Sequence, residues 1–170
     1  MLFRSYRRGY WADGSVLGGE ERIDLLPQVW AAFCGAEHAD AALDAALASL
    51  VDAEHHLVKL FAPPFTESER SPGYLTSYGP GIRENGGQYT HGAVWLALAL
   101  AERGRREEAR QILGLLLPKS HDPLRYEAEP FVLAADVSAA PGREESAGWS
   151  WYTGSAGWYL RAALELKNEE

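Results

Sequence analysis

The chain has 170 residues, 46% of them hydrophobic and 24% charged, which is the composition of one ordinary globular domain and excludes a disordered chain. Its 16 Lys plus Arg against 24 Asp plus Glu leave a net charge of −8 without any basic run, which argues against a nucleic-acid partner. A single Cys excludes an internal disulfide framework, and the longest apolar run, 93–101, is about half of a bilayer span. No secretory pattern of charged start, apolar stretch and small-residue site is visible, so the expectation is a cytoplasmic chain with no membrane partner.

Residues 1–19 are rich in aromatics, Arg and Gly without a sustained period, and read as an extended segment turning at Asp13-Gly14. A helix is predicted over 23–34, with Asp24 as its cap, Pro27 near its first turn and Gly35 as its stop. A second runs from Asp40 as cap to about Leu57, with Leu43, Leu47 and Leu50 at helical spacing. Residues 61–87 carry four Pro and five Gly and form a long loop of the kind that serves as a lid or binding loop. A third helix spans 88–103, and its apolar stretch 95–100 predicts burial on most sides. Further helices are predicted at 105–117, 129–137 and 154–167, with a second Gly, Pro and Trp loop at 138–153. With no alternating strand pattern, the expected class is all-α: short-linked helix pairs wrapped about an axis, amounting to half of a closed double ring, with the aromatic loops at one end.

Three clusters carry residue types suited to chemistry. The densest is Tyr78-Gly-Pro-Gly-Ile-Arg-Glu-Asn-Gly-Gly-Gln-Tyr-Thr-His91, where Arg83, Glu84, Asn85, Gln88, Thr90 and His91 precede an apolar helix. Backbone N–H groups at a helix start suit an anion or a sugar hydroxyl, and His91 can donate to an oxyanion. The plainer alternative is that Asn85 and Thr90 cap the helix while Arg83 and Glu84 pair on the surface. The second cluster is Gly148-Trp-Ser-Trp-Tyr-Thr-Gly-Ser-Ala-Gly-Trp158. Thr153, Gly154 and Ser155 make a phosphate-sized cradle before the last helix, and Trp149, Trp151, Tyr152 and Trp158 either form a stacking wall for sugar rings or a packed aromatic corner. The third is Asp13, either an acid beside Tyr10 and Trp11 or simply the first residue of an Asp-Gly turn. His55-His56 is the one hint of a metal. Adjacent helical residues point apart, and no second His or Cys lies at ligand spacing, so no metal or other cofactor is expected.

Together these stretches, with Tyr6-Arg-Arg-Gly-Tyr-Trp-Ala-Asp-Gly14, Arg22-Ile-Asp24 and Glu129-Pro-Phe-Val-Leu-Ala-Ala-Asp136, resemble glycoside hydrolase family 94, the inverting β-glucoside phosphorylases. That family includes cellobiose and chitobiose phosphorylases and the C-terminal domain of cyclic β-1,2-glucan synthase, and the run Arg83 to His91 is most similar to the β-1,2-glucan branch. The resemblance implies an (α/α)6 barrel and phosphorolysis, with inorganic phosphate as co-substrate attacking the anomeric carbon to give α-glucose 1-phosphate. Phosphate carries its own charge, so one acid plus an anion site replaces the usual inverting pair of carboxylates.

By motif, the resemblance implies Asp13 as general acid and His91, Thr153, Gly154 and Ser155 as phosphate ligands. Arg83 and Glu84 would hold the sugar, with Gln88, Tyr10, Trp11 and Trp151 as further substrate contacts. Where the β-1,2-glucan branch has two consecutive acids before the glycine, this chain has Ala12-Asp13. Family members are several times longer, so the resemblance covers only the C-terminal part of the catalytic domain. It implies self-association or a missing N-terminal half as partner. Two other readings follow from the same residues: an inactive half-barrel remnant that binds carbohydrate or a partner half, and a hydrolase drawing a second carboxylate from Glu84, Glu129 or Asp136.

Overall fold

A computed structural model describes residues 5–67, 70–151 and 153–167. The expectation of an all-α half-toroid is corrected: among the described residues, six α-helices occur with three small antiparallel sheets. Strand β1 (Ile23–Asp24) pairs with β4 (Phe61–Ala62), β2 (Val51–Asp52) with β3 (Leu57–Val58), and β5 (Gln88–Tyr89), β6 (Asp136–Val137) and β7 (Ala147–Gly148) form one sheet in that order. Each strand is two residues long. A ladder that short leaves no period-two pattern in the sequence, which is why none was visible.

Five helices supply the helical part of the core. Helix α1 (Leu25–Phe33) is capped as expected, the Asp24 carboxylate accepting from the Leu26 N–H at 3.1 Å. It ends at Gly35, whose φ of 64° is a left-handed geometry that glycine adopts without strain. Helix α3 (Thr90–Glu102) is the hub, packed against α1, α4 (Arg106–Leu115) and α6 (Thr153–Lys167). Ten of its 13 residues are buried, packed against elements of this chain. Leu96 and Leu100 are fully buried, each contributing about 1.5–3 kcal/mol of transfer free energy.

Several boundaries differ from expectation. Helix α2 (Ala39–Leu50) starts after His38, and Asp40 sits in its first turn, paired with Arg103 rather than capping. It stops at Leu50 because Val51 pairs with Val58 and continues the chain as strand. The helix expected over 129–137 is absent. The short helix α5 (Pro123–Tyr126) lies upstream, capped by Asp122 and ended by Glu127 at φ 55°. The following segment is organised by the Tyr126 hydroxyl, which donates to the Val132 carbonyl and accepts from the Ala134 N–H, both at 3.2 Å.

The N-terminal segment is tied down by side chains. The Gln28 amide accepts from the Tyr6 N–H at 2.7 Å and donates back to the Tyr6 carbonyl at 3.0 Å. Arg8 donates to Asp24, and buried Arg22 donates to the carbonyls of Gly18, Pro63 and Pro64 while lying 3.8 Å over the Phe65 ring. The motif Arg22-Ile-Asp24 therefore fastens residues 5–24 to the 61–65 loop. Among the described residues no helix is long and apolar enough to cross a membrane.

Candidate active site

The three-stranded sheet brings Asp136 beside Arg83, which in turn neighbours Glu84. Its register places Tyr89 opposite Asp136 and Asp136 opposite Gly148. The Asp136 carboxylate lies directly over Gly148, where a Cβ would come within 2.5 Å of Oδ2, so a larger residue there would have to displace the carboxylate. Trp149 follows it, and the Arg83 guanidinium lies 4.5 Å from the Trp149 ring and 5.3 Å from the Tyr78 ring.

Arg83 is held in a tight loop. The Asn85 amide accepts from the Phe65 N–H at 2.8 Å and donates to the carbonyls of Phe65 and Tyr78 at 3.0 and 2.8 Å. The Gly87 N–H donates to the Arg83 carbonyl at 3.0 Å, and a Cβ on Gly87 would come within 2.8 Å of that oxygen. Asn85 is thus a clamp on the 61–87 loop and not a helix cap; α3 begins after Tyr89 with no side-chain cap. Gly86 and Gly87 lie in the turn before the helix and do not form its N-terminus.

At the centre, Arg83 Nε stands 3.8 Å from Glu84 Oε2 and 3.8 Å from Asp136 Oδ1. All three atoms are buried without a hydrogen-bond partner. Burial pushes the Asp136 carboxyl up, Arg83 opposes that shift and Glu84 adds to it. Unmet buried polar atoms of this kind are scarce and call for a ligand or water. In the sequence Asp136 stands out as the end of the Glu129–Asp136 stretch and as one possible second carboxylate, and its place in the sheet has no local signal.

His91 forms a second group on the same sheet edge. Its ring stacks on Tyr89 with centroids 5.2 Å apart, and Trp95 meets it edge-on at 6.1 Å. Its Nε2 faces the start of α6, where a Cβ on Gly154 would come within 2.8 Å of it. Nδ1 is buried without a partner, and burial lowers the imidazole pKa, leaving it neutral at pH 7. Burial, then the nearby Glu84, raises Tyr89. Ser155 is fully buried. Tyr152 and the side chain of Thr153 lie outside the described residues.

The other sequence candidates are dispersed. Gln88 is buried, its amide accepting from the Val58 N–H at 2.9 Å and reaching Thr90 Oγ1 at 3.3 Å. Exposed Trp151 donates its indole N–H to Glu129 at 2.8 Å and meets Phe131 edge-on. Trp158 packs on Trp95 with ring centroids 5.7 Å apart, so the aromatic stretch divides between two places.

Asp13 stands apart in a Trp11–Ser15 turn, with exposed Tyr10 bridging to Val16. Its carboxylate accepts from the Ser15 hydroxyl at 2.5 Å, the Ser15 N–H at 3.0 Å and Arg70 at 2.8 Å, and Arg70 lies 4.0 Å over Trp11. The Ser15 hydroxyl, then the Ser15 N–H and Arg70, hold its pKa down at about 2.

The catalytic-domain model of the glycosyl hydrolase 94 superfamily matches residues 4–166. The chain is 46% identical over 172 residues to the cyclic beta-(1,2)-glucan synthase NdvB of Rhizobium meliloti (strain 1021), covering 94% of this chain and 6% of that protein. It is 35% identical over 159 residues to the solabiose phosphorylase of Paenibacillus borealis, covering 89% of this chain and 20% of the relative. It is 26% identical over 171 residues to the N,N'-diacetylchitobiose phosphorylase of Vibrio furnissii, covering 95% of this chain and 21% of the relative. The chain thus spans between 6% and 21% of the length of these relatives.

Proposed function

The chain belongs to the glycosyl hydrolase 94 superfamily, and from that premise we propose that it supplies one wall of a glycoside phosphorylase or glycosyltransferase site for β-linked glucosides. The observation that carries this reading is the trio Arg83 Nε, Glu84 Oε2 and Asp136 Oδ1, buried, mutually close and unpartnered beside Trp149 and Tyr78. One donor and two acceptors beneath aromatic faces suit the hydroxyls and apolar face of a pyranose. The higher identity to the β-1,2-glucan relative favours a β-1,2-linked glucoside.

Phosphate binds, on this reading, where the neutral His91 imidazole meets the α6 N-terminus at Thr153, Gly154 and Ser155. One N–H from His91 and the backbone N–H groups of a 15-residue helix favour an anion there. A phosphate oxygen attacks the anomeric carbon from the face opposite the leaving group. The C–O bond to the departing sugar breaks, a bond from the anomeric carbon to that phosphate oxygen forms, and the departing oxygen takes its proton from Asp13. Trp11 and Tyr10 border that step, and inversion converts a β-linkage to an α-phosphate.

Asp13 cannot give up a proton at neutral pH while Ser15 and Arg70 hold its pKa at about 2. Acting as the acid requires that those contacts break and that solvent be excluded around it, by substrate or by a covering segment or partner chain. The second reading, a module that binds carbohydrate without catalysing, draws its support from this ionised Asp13.

The test is phosphate release from α-glucose 1-phosphate with glucose and β-linked glucobiose acceptors. It is run with the chain alone and with the chain supplemented by the N-terminal part of a relative's catalytic domain. Turnover that Asp13→Asn abolishes supports the enzymatic reading. Sugar binding without turnover in both arrangements supports the binding module.

A further inference from the structure

His56, His121 and Glu145 come from three loops distant in sequence, and each offers one ligand atom within 4.8 Å of the other two. His56 closes the turn between β2 and β3 with φ 52°, His121 follows the short 3-10 helix Pro118–Ser120, and Glu145, at φ 71°, precedes β7. The side chains of His121 and Glu145 are only 1% and 5% exposed. Both ring nitrogens of His121 and Nδ1 of His56 are buried without a hydrogen-bond partner. Buried polar atoms without a partner are scarce in native interiors and call for a ligand or water, and three stand together here.

The geometry points to an ion. Glu145 Oε2 is 3.3 Å from His121 Nδ1, close but outside hydrogen-bond geometry. A tetrahedral ion with bonds of about 2.0–2.1 Å spaces its ligand atoms by roughly 3.3 Å, so one edge of the site already has that length. The remaining separations are within 4.8 Å, and His56, the least buried of the three, is the ligand with most room to turn inward. Supporting contacts are present: Arg125 holds Glu145 Oε1 at 3.2 Å, and Tyr126 stacks on the His121 ring at 4.8 Å. On its outer side His56 borders a cavity of about 690 Å³ walled by Leu47, Val51, Ile112 and Leu115, which gives an entry path and room for a solvent ligand.

We propose that His56, His121 and Glu145 bind one divalent transition-metal ion of the zinc class, with water as fourth ligand. Two imidazoles and one carboxylate suit zinc, cobalt or nickel, whereas calcium and magnesium require six or more oxygens. The ion would tie the 53–56 turn, the segment around α5 and the 141–147 loop to one another. Glu145 lies three residues before Gly148, over which Asp136 packs, so the ion braces the sheet that carries the sugar-facing cluster. The sequence argument against a metal considered only neighbouring residues, and these ligands are separated by loops and helices.

The experiment uses the untagged, chelator-treated chain with Co²⁺ as spectroscopic probe and Zn²⁺ as competitor. The expected result is saturable uptake of one Co²⁺ per folded chain, with the intense visible bands of four-coordinate N/O ligation, displaced by Zn²⁺. His56→Gln and Glu145→Gln should each weaken uptake by at least about tenfold, while His38→Gln and His55→Gln leave it unchanged. Zn²⁺ should raise the melting temperature of the wild type and not of Glu145→Gln, a readout that does not depend on the spectrum. Absence of saturable uptake by the folded wild type overturns the proposal. So does uptake that survives both ligand substitutions or falls with His38 or His55.

Discussion

Arg83 and Asp136 face each other as buried opposite charges, Nε to Oδ1 at 3.8 Å, with neither atom hydrogen-bonded. The Arg83 side chain is 27% exposed and that of Asp136 11%, so the pair is only partly screened. Arg83→Leu leaves a buried carboxylate without its countercharge and should destabilise by about 1–3 kcal/mol, less than a fully buried pair costs. Adding Asp136→Asn should restore part of that loss. Burial raises Asp136 above its usual 3.8, so its ionisation becomes a cost as pH rises through the folded value. The stability of Asp136→Asn relative to wild type should therefore improve from pH 4 to pH 7 in urea melts, and a flat difference would count against the buried-charge account.

This pair also marks where sequence reasoning stopped. Arg83 and Glu84 stood out because six polar residues crowd one Gly-rich stretch before an apolar helix. Asp136 did not, because it lies some fifty residues away on a two-residue strand and its segment read as a helix. The α1 and α3 segments were readable because a cap, a glycine stop and a continuous apolar run act locally. The three sheets were not, since their pairing depends on partners distant in the chain. Gln88 and Asn85 both stand in the polar cluster before α3, yet Asn85 is taken up by backbone groups of Phe65 and Tyr78 and Gln88 by the Val58 N–H and the Thr90 hydroxyl, an outcome that polarity alone cannot distinguish.

Asp13 should titrate at about 2 in a carboxyl-carbon NMR experiment on the isolated chain. At that value about one chain in 10⁵ carries the proton at pH 7. Ser15→Ala should move it upward more than Arg70→Ala, because the Ser15 hydroxyl is the larger of the causes. The sign follows from a depressed carboxyl: its contribution to stability is present above its unfolded value and is lost as pH falls through about 2. If the assembled active form shows Asp13 still at about 2, a role as general acid is ruled out.

His91 is kept neutral by burial, so its contribution to stability is present above its unfolded value near 6.5 and lost as pH falls below it. A phosphate dianion at Gly154 would favour the imidazolium, and millimolar phosphate should raise the His91 pKa in proton NMR. Gly154→Ala places a methyl 2.8 Å from Nε2 and should abolish that phosphate-induced shift while α6 remains helical. An unchanged His91 titration with and without phosphate in the wild type would remove the anion site from this position.

Two glycines should respond in opposite directions. Gly81 has φ 82°, and its Cβ would meet the Ala140 backbone at 2.6 Å. Gly81→Ala should cost about 2 kcal/mol or more, through strain and collision together, and should loosen the 61–87 loop. Gly157 lies inside α6 with nothing near its Cβ position, so Gly157→Ala should stabilise by about 0.5–1 kcal/mol. Thermal melts of the two variants should move in opposite directions.

Gln88 separates a structural role from a substrate role. Its amide oxygen is the acceptor for the buried Val58 N–H, and its amide nitrogen reaches Thr90, which joins β3 to the start of α3. Gln88→Leu leaves that N–H unmet and should destabilise by about 1–3 kcal/mol. Gln88→Glu keeps the acceptor but buries a charge, so its loss should exceed that of Gln88→Leu at pH 7 and shrink at pH 4, where the carboxyl is protonated. Neither substitution should alter sugar affinity beyond the fraction of chain unfolded. Loss of sugar affinity at unchanged stability would mean instead that Gln88 turns toward substrate when the site is occupied.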